Sequence, residues 1–535
     1  MALFAFIILA LLWAGYRFYG SFLEKRYAVS PDEPVPSKTM TDGVDYVPAN
    51  KYVLLGHHFS SIAGAGPIVG PLIAAAAFGW LPAVIWVVGG TIFIGGLHDF
   101  SSLIISLRHQ GRSIAEIADK YINRRTYRLF LFFTWLALMY VVAVFADLTA
   151  DTFVKEAAVA QTSIFYIFVA VVFGWALYRA KYGLKASTTV SLIALAAGMY
   201  LSFRYRFLWA DKGLWTAVLV AYCFAASILP VWFLLQPRDY LSSYLLYTSV
   251  VIGLVGVFFG GHAIAYPAFK TFSDPSIGNL APFLFITIAC GAVSGFHSLV
   301  ASGTTSKQLS SAGDAKFIGY GGMVLEAVVA VIALGTIMML APADAQSLAS
   351  PTQIYAAGLG RFSTLLGLDA EAGMIFGLLV ISAFMLTTLD TATRIARYIF
   401  QEMTGAGNSL PGRLLSTAIS LALPVVLLNI TMTDGSGAII PCWKLIWPLF
   451  GITNQLLAAL VLVIIYIWAK KTGIRALGVI IAAAVLMTVM TLWALISMLS
   501  RSGFNLITAI GAVLLALALT VIFESARAVL KKNVQ

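Results

Sequence analysis

Four of the six histidines in this chain stand at matching distances from basic residues. His57 and His58 follow Lys51 by six and seven residues, His98 precedes Arg108 by ten with Asp99 beside it, and His297 precedes Lys307 by ten. At about 1.5 Å of helical rise per residue, all of them lie roughly 9 to 15 Å from one edge of an apolar slab. Imidazole exchanges protons near neutral pH, and imidazole with carboxylate also suits a zinc-like transition metal. Three readings follow: a proton relay through His57, His58, His98, Asp99 and His297; a metal site of His57, His98, Asp99 and His297; or separate histidines that each cap a nearby polar group. Adjacent helical residues project about 100° apart, so His57 and His58 are expected to serve different partners. Glu326, without a local cation, and Asp390 extend the proton-carrier set, because ionisable groups within apolar spans mark ion paths. Asp390 stands four residues before Arg394, where a local ion pair is the simpler expectation. Ser302, Thr304 and Thr305 offer hydroxyls to a sodium ion, although Ser and Thr at a helix end ordinarily cap backbone.

A second feature is made of backbone. Ala63-Gly64-Ala65-Gly66-Pro67-Ile68-Val69-Gly70-Pro71 combines three glycines with two prolines, and a continuous helix is not expected there. Amides freed at the start of a half-helix attract a carboxylate through both the dipole and the bare N–H groups. Gly64, Ala65, Gly66, Pro67 and Gly70 are therefore predicted to be non-helical and to hold an anionic substrate. A companion break at Ser227-Ile228-Leu229-Pro230 is expected to face them, with Tyr222, Ser227 and Pro230 as polar and aromatic walls.

The elements that must position these groups are membrane spans. The 535 residues are 60% hydrophobic and 11% charged, which leaves no polar surface for a soluble domain. Runs near 1–20, 52–78, 80–107, 129–148, 164–180, 186–203, 214–235, 240–260, 281–302, 318–341, 372–398, 414–430, 446–469, 476–499 and 504–527 make about fifteen spans. The net charge of +11 reports topology rather than nucleic acid, since Lys and Arg fall in short loops. Loop 108–128 carries six basic residues and the tail adds Lys531 and Lys532, so the N-terminus is expected outside and the C-terminus inside. Arg204, Arg206 and Lys212 are exceptions on the outer side. Cys223, Cys290 and Cys442 are far apart and read as small core residues.

The two broken spans run in opposite directions. That is the pattern of an inverted-repeat secondary transporter with its site at the repeat interface. The expected organisation is an N-terminal anchor and loop (1–51), a first repeat (52–203), a second repeat (214–398) and peripheral helices (414–535). Neither GxxxxGK[ST] nor HExxH occurs, so neither ATP binding nor that metalloprotease site is evident. A transporter rather than an enzyme is the reading, with an intramembrane metalloenzyme or a channel as the alternative.

Gly56-His57-His58-Phe59, Ile62 to Pro67 with Val69-Gly70-Pro71, Asp99-Phe100, Ser294-Gly295-Phe296-His297 and Ser302 to Thr305 together resemble the carbon starvation protein A family. The likeness extends through Leu386-Thr387, Asp390, Arg394, Trp447 to Ile452 and Asn454-Gln455. The resemblance implies an importer of peptides or pyruvate in the cell inner (cytoplasmic) membrane, used during carbon limitation and proton-driven. It also implies kinship with the amino acid/polyamine/organocation transporters and their five-plus-five helix core.

Overall fold

The computed structural model describes residues 1–535 apart from 349, 434–438, 446, 502–505 and 531–535. The basic tail residues Lys531 and Lys532 lie outside the described residues. The long helices are α1 (Ala2–Arg26), α2 (Lys51–Ala63), α3 (Gly66–Phe78), α4 (Trp80–Leu107), α5 (Arg124–Lys155), α6 (Ala157–Tyr178), α7 (Leu184–Arg204), α8 (Lys212–Ile228) and α9 (Leu235–Phe259). They continue as α10 (Leu280–Thr287), α11 (Gly295–Gly303), α12 (Ala312–Met338), α13 (Pro351–Ser363), α14 (Ala370–Thr404), α15 (Leu410–Asn429), α16 (Trp447–Thr472), α17 (Leu477–Arg501) and α18 (Leu506–Leu530). Among the described residues the only strands form two short antiparallel ribbons, so the protein is an all-α, multi-pass membrane protein.

Among the described residues, thirteen spans are long and apolar enough to cross a membrane, with α2 and α3 together counted as one. The other two of the fifteen expected are special cases. One is α8, only 17 residues long. The other, expected as a single helix over 281–302, is split into α10 and α11 by residues 288–294.

The expected break at 64–70 contracts to two residues. Gly64 takes φ +50°, ψ −154°, which only glycine adopts freely, and after Ala65 the helix resumes at Gly66. Pro67 sits in the first turn of α3, where its missing N–H costs nothing, and Gly70 is helical. The second break turns on Gly291, at φ +85°. Pro230 belongs instead to the turn 229–234 joining α8 to α9, and Gln236 and Pro237 open α9 rather than closing α8.

The break at Gly64 therefore faces 288–294 and not 226–230. A Cβ on Gly66 would stand 2.3 Å from the Cys290 Cβ, and one on Gly70 would stand 2.5 Å from the Thr287 carbonyl oxygen. Around these breaks the packing is nearly two-fold. Helix α5 lies along α14; α3 packs on α12 as α11 packs on α4; α8 and α15 touch each other and both α5 and α14; and α9 packs on α14 as α16 packs on α5.

One end of the bundle carries the basic loops. There Arg108 donates to Glu33 at 2.8 Å, the Tyr46 hydroxyl to the Gln110 carbonyl at 3.1 Å, and the Val231 amide to the Val44 carbonyl at 2.9 Å. Two of the three exceptional basic residues at the other end, Arg206 and Lys212, have acidic partners. Arg206 meets Glu156 and Glu371, and Lys212 lies 2.8 Å from both Asp147 and Asp151.

Candidate functional site

Between the two breaks lies a small cavity of about 40 Å³. Gly64 and Gly66 line it from one break and Cys290 and Phe296 from the other, with Phe145, Phe450, Thr388 and Asn454 around them. No side chain caps the N-terminus of α3, and Gly66 in its first turn lines the cavity. A void of about 450 Å³ toward the less basic end, edged by Arg501, shares Gly66, Phe145, Cys290 and Phe450 with this cavity. A void of about 400 Å³ at the basic end shares only Leu299.

Backbone freed at membrane depth needs partners inside the protein. Helix α16 supplies them for the second break: the Asn454 side-chain oxygen accepts from the Phe296 amide at 2.9 Å, and Gln455 Nε2 donates to the carbonyls of Phe285 and Val293 at 2.9 and 3.0 Å. Helix α14 serves the first break, with Thr388 Oγ1 donating to the Ser61 carbonyl at 3.3 Å.

The histidines divide into two clusters. In the first, His57 Nδ1 lies 2.6 Å from Asp239, and its Nε2 lies 3.3 Å from the Gln308 amide. The neighbouring Arg238 is bonded to Asp390, and Tyr222 donates to Asp390 at 2.7 Å. In the second, Asp99 accepts from His98 Nδ1 at 2.8 Å and from His297 Nδ1 at 2.9 Å, and His297 Nε2 points at Glu326, 3.4 Å away. All these side chains except Tyr222, which is half-buried, are buried. His58, turned away from His57 as the helical angle requires, bonds Thr305 Oγ1 at 2.9 Å.

Several expectations change. His57 does not join His98, Asp99 and His297; Glu326 and Cys290 complete that group instead. Asp390 does not pair with Arg394, which reaches Asp45 at 2.9 Å and the carbonyls of Ala226 and Leu229. Tyr222 belongs to the Asp390 cluster, Ser227 bonds Thr417 at 3.1 Å, and Pro230 is in the turn 229–234; none of the three lines the cavity. Ser302 and Thr304 donate to the carbonyls four residues earlier, at 2.7 and 3.0 Å, so they cap their own helix end.

Sequence reading passed over Arg238 and Asp239 because they fell between two predicted spans. Their signal was a charged pair directly after Gln236-Pro237 in an otherwise apolar stretch. Cys290 was assigned to the core, and nothing in its spacing says otherwise.

The fold and site define a multi-pass helical membrane protein whose centre is a pair of opposed helix breaks. The chain belongs to the carbon starvation protein CstA family, whose model matches residues 1–360 and 345–494. It is 34% identical over 524 residues to the peptide transporter CstA of Escherichia coli K12, covering 84% of this chain and 74% of that protein. It is also 34% identical over 513 residues to the peptide transporter CstA of Bacillus subtilis, covering 85% and 83%. The pyruvate/proton symporter BtsT of Escherichia coli K12 is 30% identical over 574 residues, covering 90% and 79%.

Proposed function

We propose that this chain is a secondary active transporter that imports a small carboxylate-bearing nutrient, a peptide or pyruvate, across the cytoplasmic membrane with protons during carbon limitation. The observation that carries this reading is the cavity between two opposed breaks, with the uncapped start of α3 as a seat for a carboxylate. The names of the relatives support the substrate class and the proton. Two five-helix halves related by inversion, α2 to α5 with α8 and α9, and α10 to α12 with α14 to α16, fit the two-fold packing. In this division α6 and α7 are an inserted hairpin. The basic end is cytoplasmic in this reading, with the N-terminus outside and the C-terminus inside, so the cavity communicates with the exterior.

His57 and Asp239 are the proton site in this scheme. Arg238 sits closest to Asp390 and lies 4.0 Å from Asp239, so one guanidinium serves two carboxylates while Arg394 pairs with Asp45, and Asp239 is left to share one proton with His57. A single buried carboxylate left over in a charge balance calls for a proton. Uptake of labelled pyruvate and dipeptides into proteoliposomes under an imposed proton gradient tests the proposal. Accumulation above the external concentration that collapses with a protonophore is expected. Equilibration alone would make the protein a channel, and uptake of neither solute would remove the substrate class.

A further inference from the structure

Cys290 comes from the second helix break, His297 from α11 and Glu326 from α12, and one ligand atom from each lies within 4.8 Å of the others. Among the described residues, His297 Nε2 and both Glu326 carboxylate oxygens make no hydrogen bond of good geometry, although both side chains are fully buried. An ionisable pair left in that condition is costly. Their 3.4 Å separation is longer than a good N–H···O bond of about 2.7–3.2 Å. It matches the spacing of two ligand atoms on a tetrahedral ion with bonds of about 2.0–2.1 Å, which is about 3.4 Å.

The surroundings of His297 point the same way. Its Nδ1 is bonded to Asp99, itself held by His98, and this fixes the ring with Nε2 turned toward Glu326. A carboxylate behind an imidazole is the usual orienting support of a metal-binding histidine. Cys290 completes the set from the cavity side, since it lines the central cavity and the larger void.

We propose that Cys290, His297 and Glu326 bind one divalent transition-metal ion of the zinc type, with a coordination position left open toward the central cavity. Thiolate, imidazole and carboxylate are the donor set that zinc and its neighbours accept. A divalent ion offsets the thiolate and the Glu326 carboxylate together, which leaves Asp99 as the remaining carboxylate of the cluster, held by the His98 and His297 N–H groups. Three protein ligands with one open place form the pattern of a site that also receives a small ligand. The inference is independent of the cargo and of the His57–Asp239 proton site.

The test uses the full chain purified in detergent, stripped with chelator and then titrated with Zn²⁺ or Co²⁺. About one equivalent should bind per chain. Co²⁺ should give a thiolate charge-transfer band that is absent in Cys290→Ser, and bound Zn²⁺ should protect Cys290 from alkylation. Glu326→Gln should abolish stoichiometric binding, and Asp99→Asn should weaken it by about 10- to 100-fold. Absence of stoichiometric binding and of the cobalt band in the wild-type chain overturns the proposal, whatever the variants do. So does a band that persists in Cys290→Ser. Metal content and uptake are read separately, so either reading can fail while the other stands.

Discussion

Asp239 is the residue on which the charge balance of the inner cluster turns. With Arg238 committed to Asp390, replacing Asp239 by Asn keeps the shape beside His57 and removes the group that needs a proton. Gradient-driven uptake of Asp239→Asn should fall about 5- to 150-fold, the range spanned by coupling free energies of 1–3 kcal/mol, while substrate exchange without a gradient persists. Gradient-driven uptake at the wild-type rate would exclude Asp239 as the carrier. Gly66 is the steric counterpart. Its hypothetical Cβ lies 2.3 Å from the Cys290 Cβ, so Gly66→Ala forces the two breaks apart at a cost of about 1–3 kcal/mol. Thermal melting should show the loss, and Cys290→Gly in the same chain should restore most of it, because the second change empties the space the first one fills.

At the scale of elements, each break is stable because another helix has taken over its backbone bonds. Gln455 is the clearest case, one side-chain amide serving the carbonyl of Phe285 in α10 and that of Val293 within the break. Gln455→Leu leaves both carbonyls buried without that donor and should cost about 1–3 kcal/mol for each one left unsatisfied. The measurement is the melting temperature in detergent, and an unchanged value would mean that water or a shifted neighbour replaces the amide. The break that Gln455 supports was invisible along the chain. Ile288, Ala289, Cys290, Gly291, Ala292 and Val293 contain no proline and only one glycine, so hydropathy reads straight through them. The Gly64 break, by contrast, announces itself with closely spaced glycines and prolines.

For the whole molecule the question is what shuts the basic end. The segment before α2 lies across that end with Asp45 inserted against α14: its carboxylate accepts from Arg394 at 2.9 Å, Arg397 at 3.2 Å and the Tyr398 hydroxyl at 2.6 Å. Burial alone would raise the pKa of Asp45, but the guanidiniums of Arg397 and Arg394 outweigh it and hold the carboxyl well below its usual range. A depressed folded pKa means the stabilisation is complete above the unfolded value of about 4 and is lost only as pH falls toward the folded one. Between about pH 5 and 8 the latch should therefore be insensitive to pH. Cys290, in a chain whose Cys223 and Cys442 are replaced by Ser and with chelator present, reports it. An impermeant thiol reagent should label Cys290 from the less basic end at every pH in that window. Asp45→Asn should admit the reagent from the basic end as well. Equal labelling of the wild-type chain from both ends would remove the latch.

Composition settled the all-α, multi-pass membrane class, because a chain that is 60% hydrophobic has only lipid or its own interior to face. The Gly64 break and the separation of His57 from His58 were legible for a similar reason: both follow from local backbone geometry, which neighbouring residues dictate. What only the tertiary structure decided is partnership. That Gly66 meets Cys290 rather than Pro230, that Asp390 takes Arg238 and not Arg394 four residues away, and that Glu326 turns to His297 are outcomes of packing between distant helices. A buried charge takes the partner that satisfies it best within the packed bundle, and no spacing along the chain records which helix will bring that partner within about 3 Å.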